Sequence, residues 1–198
     1  MANIFDKIHD ISPFEAGQKS KSALEWFRQK ASGSKVSPNS LLTSSDYSQN
    51  LVRSPLPGSM FLFQYDAKHK DTLPYWDRFP LVFPIDMDAT GFLGLNLHYL
   101  PPTLRASLFS SLVGFGSKKP YEDLKLSYSI LTKYSQLSYF KPCLKRYLFS
   151  HVKSQFLYIE PDEWQIAIFL PLQRFQGAGS GKVYADSRKI IGTKRKYK

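Results

Sequence analysis

Gly91-Phe92-Leu93-Gly94-Leu95-Asn96-Leu97-His98-Tyr99 alternates along its length, the two-residue period of a β-strand whose successive side chains point to opposite faces. Leu93, Leu95, Leu97 and Tyr99 are expected to face a core, and Gly94, Asn96 and His98 to face away. Upstream, Met60-Phe61-Leu62-Phe63-Gln64-Tyr65 reads as another strand, followed by a polar connection over 66–71. Leu73-Pro74-Tyr75-Trp76-Asp77-Arg78-Phe79-Pro80-Leu81-Val82-Phe83-Pro84-Ile85 carries prolines that remove backbone donors, which predicts an irregular or edge strand rather than a central one. Downstream, three helices are expected. Pro101 and Pro102 open the first, with Leu104, Leu108 and Leu112 on one stripe before Gly114. Pro120 opens the second, where Leu124, Tyr128 and Leu131 share a face. Pro142 opens the third, with Leu144, Leu148 and Val152 inward. Strands return at 156–159 and at 165–170, across a hairpin-like Asp162-Glu163 connection, and a short one follows at 182–184. The order predicts an α+β fold: a small antiparallel sheet or partly open barrel with three inserted helices, plus an N-terminal arm.

Residues 1–54 read as that arm, rich in Ser, Lys, Gln and Asn, with one short helix. Ser22 and Glu25 have capping-box spacing, Leu24, Phe27 and Ala31 share a face, and Gly33 stops the helix. Trp26 and Phe27 look exposed, so the helix is expected to dock either on the chain's own core or on a partner. The turn-rich Ser54-Pro55-Leu56-Pro57-Gly58 introduces a core domain over 55–187, and 188–198 is a basic tail.

With 42% hydrophobic and 15% aromatic residues among 198, the chain has the apolar surface to build a core, which argues against global disorder. Cys143 is the single cysteine, so an intrachain disulfide and a Cys-rich zinc site are excluded, and a reducing, intracellular setting fits best. No secretory signal and no apolar run near the roughly 20 residues of a membrane span is present, so a soluble protein with no membrane partner is expected.

The 27 Lys and Arg against 16 Asp and Glu leave a net charge of +11, a field that attracts polyanions. Residues 55–113 are near neutral, with four basic and five acidic side chains, whereas 114–155 hold eight basic and two acidic. From Ser187 onward there are six basic residues and no acid. The candidate nucleic-acid contacts are therefore Lys118, Lys119, Lys125 and Lys133; then Lys141, Lys145, Arg146 and Lys153 on the third helix. Arg188, Lys189, Lys194, Arg195, Lys196 and Lys198 complete them as a flexible basic strand. Lysine-rich faces are also common on solvated helices without any partner.

No catalytic constellation stands out. Gly177 to Lys182 resembles a phosphate loop, but Gly177 and Gly181 are one residue too close, Val183 replaces the needed Ser or Thr, and no helix is evident afterwards. His9, His69, His98 and His151 lack metal-ligand spacing, and Glu160, Asp162 and Glu163 read as an acidic turn. Tyr75, Trp76, Phe79 and Phe83 could stack on bases, but their interleaving with prolines and aliphatics reads as packing. No cofactor, no metal and no enzyme activity is expected.

Several stretches together carry a resemblance. They are Leu73-Pro74-Tyr75-Trp76-Asp77-Arg78-Phe79-Pro80-Leu81-Val82-Phe83-Pro84, Gly94-Leu95-Asn96-Leu97-His98-Tyr99-Leu100-Pro101-Pro102, Lys145-Arg146-Tyr147-Leu148, Asp162-Glu163-Trp164, Ala185-Asp186-Ser187-Arg188 and Ala23-Leu24-Glu25-Trp26-Phe27-Arg28. Over roughly residues 20–190 the chain resembles the DNA end-protector group of virion proteins in tailed phages of the T-even myovirus type. The resemblance implies a non-enzymatic protein of the virion, assembled in the host cytoplasm, acting late in head completion. It would bind the ends of packaged double-stranded DNA near the portal, shield them from exonucleases and help the head accept a tail. Other virion proteins near the portal or neck would be its partners. The rival readings are a purely structural neck, tail or baseplate component, using Trp26, Phe27 and the Pro-rich strand as buried contacts, and a metal-dependent nuclease using Asp162, Glu163 or His98.

Overall fold

The structure, a computed structural model, describes residues 3–15, 18, 20–114 and 139–192, without the side chains of 112–114. Three helices come first: α1 (Ile4–Asp10), α2 (Lys21–Ser32) and α3 (Pro38–Thr43), then a 3-10 turn at Ser45–Asn50. Asn3 and Asp6 form a reciprocal capping box on α1, two donors satisfied by two short side chains. On α2 the cap is Ser20, whose Oγ accepts from the Ala23 N–H at 3.2 Å, and not Ser22; Glu25 instead accepts from Arg28 and Gln29 one turn on. Gly33 does end the helix.

The expected arm is more than an arm. Phe5, Ile8, Ala23, Phe27, Ala31, Leu41, Leu42 and Tyr47 are buried in the same apolar cluster as the sheet. Burial of this size supplies what short helices lack alone, since each fully buried large apolar side chain stabilises by about 1.5–3 kcal/mol.

Strands β1 (Leu51–Val52), β2 (Met60–Leu62), β4 (Leu81–Asp88), β5 (Gly91–Asn96), β6 (Leu144–Leu148) and β7 (Phe156–Ile159) form one sheet in the order β1-β7-β2-β4-β5-β6. Every pairing is antiparallel, and the two edges do not meet, so the sheet is open rather than a barrel. β3 (Trp76–Asp77) and β8 (Phe175–Gln176) make a separate two-stranded ladder. The fold is α+β, as the order of elements predicts.

The sheet is covered on both faces, which overturns several expectations. Met60, Leu62, Leu81, Phe83 and Leu95 face the helices, while Phe61, Phe63, Val82, Phe92 and Phe156 build a second, aromatic-rich cluster on the other side. Asn96 and His98, expected on the face away from the core, are consequently fully buried, and the alternating run leaves the sheet at a 3-10 turn, Leu97–Tyr99. The Pro-rich run is irregular, as expected, broken between β3 and β4, but β4 is not an edge: it pairs with β2 on one side and β5 on the other. Pro84 fits because the register shifts between Pro84 and Asp86, a bulge that relieves the missing donor. Gly91 lies against the Tyr147 backbone on β6, an approach that no Cβ could share.

Of the three inserted helices, the first is α4 (Pro102–Gly114), with Leu108 fully buried. The second lies outside the described residues. The third is a four-residue helix, Phe140–Cys143, after which Leu144 enters β6; pairing with β5 overrides the helical spacing of Leu144, Leu148 and Val152. Two late strands are also replaced. Residues 165–170 lie in the short helix Trp164–Ala167 and the turn after it, and Lys182-Val183-Tyr184 lies inside the C-terminal helix, Ser180–Gly192. The first half of the predicted tail therefore belongs to that helix. Gly177, at φ +83, makes the turn into it against the Pro74 carbonyl.

Candidate nucleic-acid interface

The basic helix face expected over 141–153 does not form, because most of that segment is not helical. Lys141 is exposed on the short helix. Lys145 and Arg146 are neighbours on β6, where successive side chains leave on opposite faces. Lys145 is half-buried, its Nζ 4.1 Å from the centre of the Tyr99 ring, and burial lowers its pKa. Arg146 is exposed but reaches Asp88 and the Thr90 hydroxyl. Arg188 and Lys189 are exposed on the C-terminal helix, with Lys189 4.0 Å from Asp186. Lys118, Lys119, Lys125, Lys133, Lys194, Arg195, Lys196 and Lys198 lie outside the described residues. Of the two proposed docking aromatics, Phe27 is fully buried in the chain's own core and Trp26 is half-buried against Phe14 and Phe27.

A different cationic surface appears around the β3–β8 ladder. Arg78 follows β3 and Arg174 precedes β8, and the Arg78 N–H donates to the Arg174 carbonyl at 3.0 Å. Two open hollows share Arg78 and Gln176: one of about 410 Å³ reaches Arg174, Ser37 and Asn39, and the other, of about 370 Å³, reaches Trp76, Lys153 and the paired Lys70 and Asp66. Lys153 is held by its own N–H, which donates to the Gln64 carbonyl at 2.8 Å. Arg78 and Arg174 fall in segments that a charge count passes over, and only Lys153 was a candidate from sequence.

Behind this surface lies a buried polar cluster. The Asp77 carboxylate, 3% exposed, accepts from the backbone N–H groups of Phe79 and Arg174, both at 3.1 Å, from the Asn96 amide at 3.2 Å and from the His98 ring at 2.7 Å. Burial alone would raise its pKa, but His98 and the two N–H groups outweigh it and the net shift is downward. Burial lowers the pKa of His98, so it serves as a neutral donor to Asp77 through Nδ1. Asp77 thus ties β3, β5 and the approach to β8 together, and holds Arg78 and Arg174 in place.

The acidic turn behaves differently. Glu163 is pushed up to about 7, by burial first and by the Asp162 and Glu160 carboxylates after that; its hydrogen bond from the Glu160 N–H opposes the shift. A raised carboxyl pKa means that the folded state holds a proton the unfolded chain would release. The resulting stability is complete below about 4.5 and is lost as pH rises towards 7. Glu163→Gln keeps the acceptor and cannot ionise. It is expected to stabilise the protein at pH 8 by about 1–2 kcal/mol, allowing for solvent screening of a half-buried group, and to have no effect at pH 4.5. Urea denaturation at the two pH values measures this; an equal effect at both would refute the ionisation argument. Among the described residues no group of three or more His, Cys, Asp and Glu could hold a metal ion, and no described helix is long and apolar enough to cross a membrane. Gly177 to Lys182 does lead into a helix, contrary to expectation, but its spacing and Val183 still depart from a phosphate loop.

Together the open sheet and the cations around β3 and β8 define a basic α+β protein. Residues 14–193 match the family of the phage T4 terminal DNA protecting protein, and the chain belongs to that family. No curated protein and no solved structure matches it.

Proposed function

We propose that this is a non-enzymatic phage virion protein that binds the ends of packaged double-stranded DNA and shields them from exonucleases during head completion and head–tail joining. The observation that carries the reading is membership, over nearly the whole chain, of a family named for terminal DNA protection. The net charge of +11 supports it, because a surface that neutralises phosphates releases their counterions. Contacts to phosphate grip DNA without reading sequence, as protection of any terminus requires. Other virion proteins near the portal or neck are the partners this role needs, and half-buried Trp26 is the aromatic that remains available to them.

The test is protection of linear duplex DNA from a processive exonuclease, with a nicked circle as competitor and salt varied. Protection is expected to survive excess circle, and log affinity to fall against log salt with a slope of about −5 if about six phosphates are neutralised. Protection lost entirely to the circle would refute end-specific binding and favour a structural neck, tail or baseplate component. Metal-dependent cleavage of the DNA, abolished by Asp162→Asn or Glu163→Gln, would instead establish a nuclease.

A further inference from the structure

We propose that the surface across β3 and β8 is the phosphate-binding site for DNA, with Arg78, Arg174 and Lys153 as the contacting cations; this rests on the DNA-binding reading above. Three observations carry it. None of the three side chains meets a carboxylate among the described residues, whereas some other exposed cations do: Lys70 is held by Asp66 at 3.0 Å, Lys182 by Asp186 at 2.8 Å, and Arg28 and Arg146 by Glu25 and Asp88. Cations already paired with carboxylates have less to offer a phosphate than unpaired ones.

The second observation is placement. Arg78 and Arg174 lie opposite each other, fixed by the backbone hydrogen bond between them and by Asp77, which accepts from the Arg174 N–H beneath the surface. Like charges facing across a ladder destabilise the fold. An anion lying between them removes that repulsion, so the arrangement favours a bound phosphate. The third is preorganisation. Nη1 of Arg174 donates to the Pro171 and Gln173 carbonyls at 2.7 and 2.8 Å, which sets the guanidinium plane and leaves Nε and Nη2 to make a two-pronged contact with phosphate oxygens. Ser37, Asn39 and Gln176 line the same hollow and supply the neutral donors that commonly accompany arginine on a phosphate backbone. Because both hollows are lined by Arg78 and Gln176, two anion positions would lie side by side there, which suits a chain of phosphates better than one isolated ion.

The experiment is fluorescence anisotropy of the full chain with a labelled blunt duplex across a salt series, comparing wild type with Arg78→Ala/Arg174→Ala and with Lys153→Ala. The double variant is expected to bind at least tenfold more weakly, with a salt slope shallower by about 1.8; Lys153→Ala should reduce the slope by about 0.9. Arg78→Lys/Arg174→Lys should keep the wild-type slope at reduced affinity, which separates lost charge from lost folding. Quenching of Trp76, read as the fluorescence change that Trp76→Phe removes, would support DNA in the hollow beside it. Wild-type binding with an unchanged slope in the double variant would overturn this site and leave the proposed function standing. Wild type that neither binds nor protects DNA would overturn both. Displacement of DNA by millimolar inorganic phosphate at constant ionic strength would assign the site to a free anion and overturn the proposal.

Discussion

Arg105→Ala is expected to lower the unfolding free energy by about 3–5 kcal/mol, seen as a fall in the urea midpoint with the m-value unchanged. Arg105 lies on α4 and is only 1% exposed, yet no carboxylate meets it among the described residues. Backbone carbonyls and a phenol take that place. Nε and Nη2 donate to the Leu100 carbonyl at 3.2 and 3.0 Å, Nη1 to the Ile168 carbonyl at 2.7 Å, and Nη2 to the Tyr184 hydroxyl at 3.2 Å. One side chain therefore joins the start of α4, the turn after Trp164–Ala167 and the C-terminal helix. Truncation leaves buried acceptors without donors, each costing about 1–3 kcal/mol, and opens a cavity as well. Arg105→Lys is expected to recover only part of the loss, because a compact ammonium cannot reach all three acceptors as the guanidinium fork does. A loss below 1 kcal/mol in Arg105→Ala would refute the claim that these contacts hold the C-terminal helix.

Asp77→Ala is expected to cost about 4 kcal/mol and to weaken DNA binding as well. The substitution strands four buried donors at once, two of them on the backbone segments that carry Arg78 and Arg174. Hydrogen exchange at the Phe79 and Arg174 amides, which donate to Asp77, should accelerate far more than in the β2–β7 ladder, whose amides pair with each other. The pH dependence has a definite sign. Asp77 has a lowered pKa, so its stabilisation is present above the ordinary carboxyl value of 3.8 and is lost as pH falls through the folded value. His98, also lowered, stays neutral in the folded state while the unfolded chain takes up a proton, so stability begins to fall as pH drops below 6.5. Wild type should therefore lose stability in two acid steps, and Asp77→Ala should lack the lower one. An Asp77→Ala curve parallel to wild type below pH 4 would refute the assignment.

The local signals were legible where one element decides its own structure. Prolines at 101 and 102 opened α4, Gly33 closed α2, and residues 156–159 formed β7. Other elements were ambiguous for a physical reason. Residues 164–170 are all buried, and a short run of continuously buried residues carries no period to separate strand from helix. The helical spacing of Leu144 and Leu148 lost to a five-residue ladder with β5, since sheet pairing satisfies backbone groups that a four-residue helix cannot. The burial of Asn96 and His98 was not legible, because alternation tells which residues share a face, while burial depends on what covers that face.

The same division runs through the candidate site. By itself the sequence determined the α+β class, the basic character of the chain and its family resemblance, because composition, element order and motifs are properties of the chain read in line. Only the tertiary structure decided which cations act together. Arg174 lies 97 residues from Asp77, and the β3–β8 ladder with a buried carboxylate brings the two segments into contact, whereas Lys145 and Arg146, adjacent in sequence, part to opposite faces of a strand. Electrostatic fields add over distance in space, and that distance is set by folding.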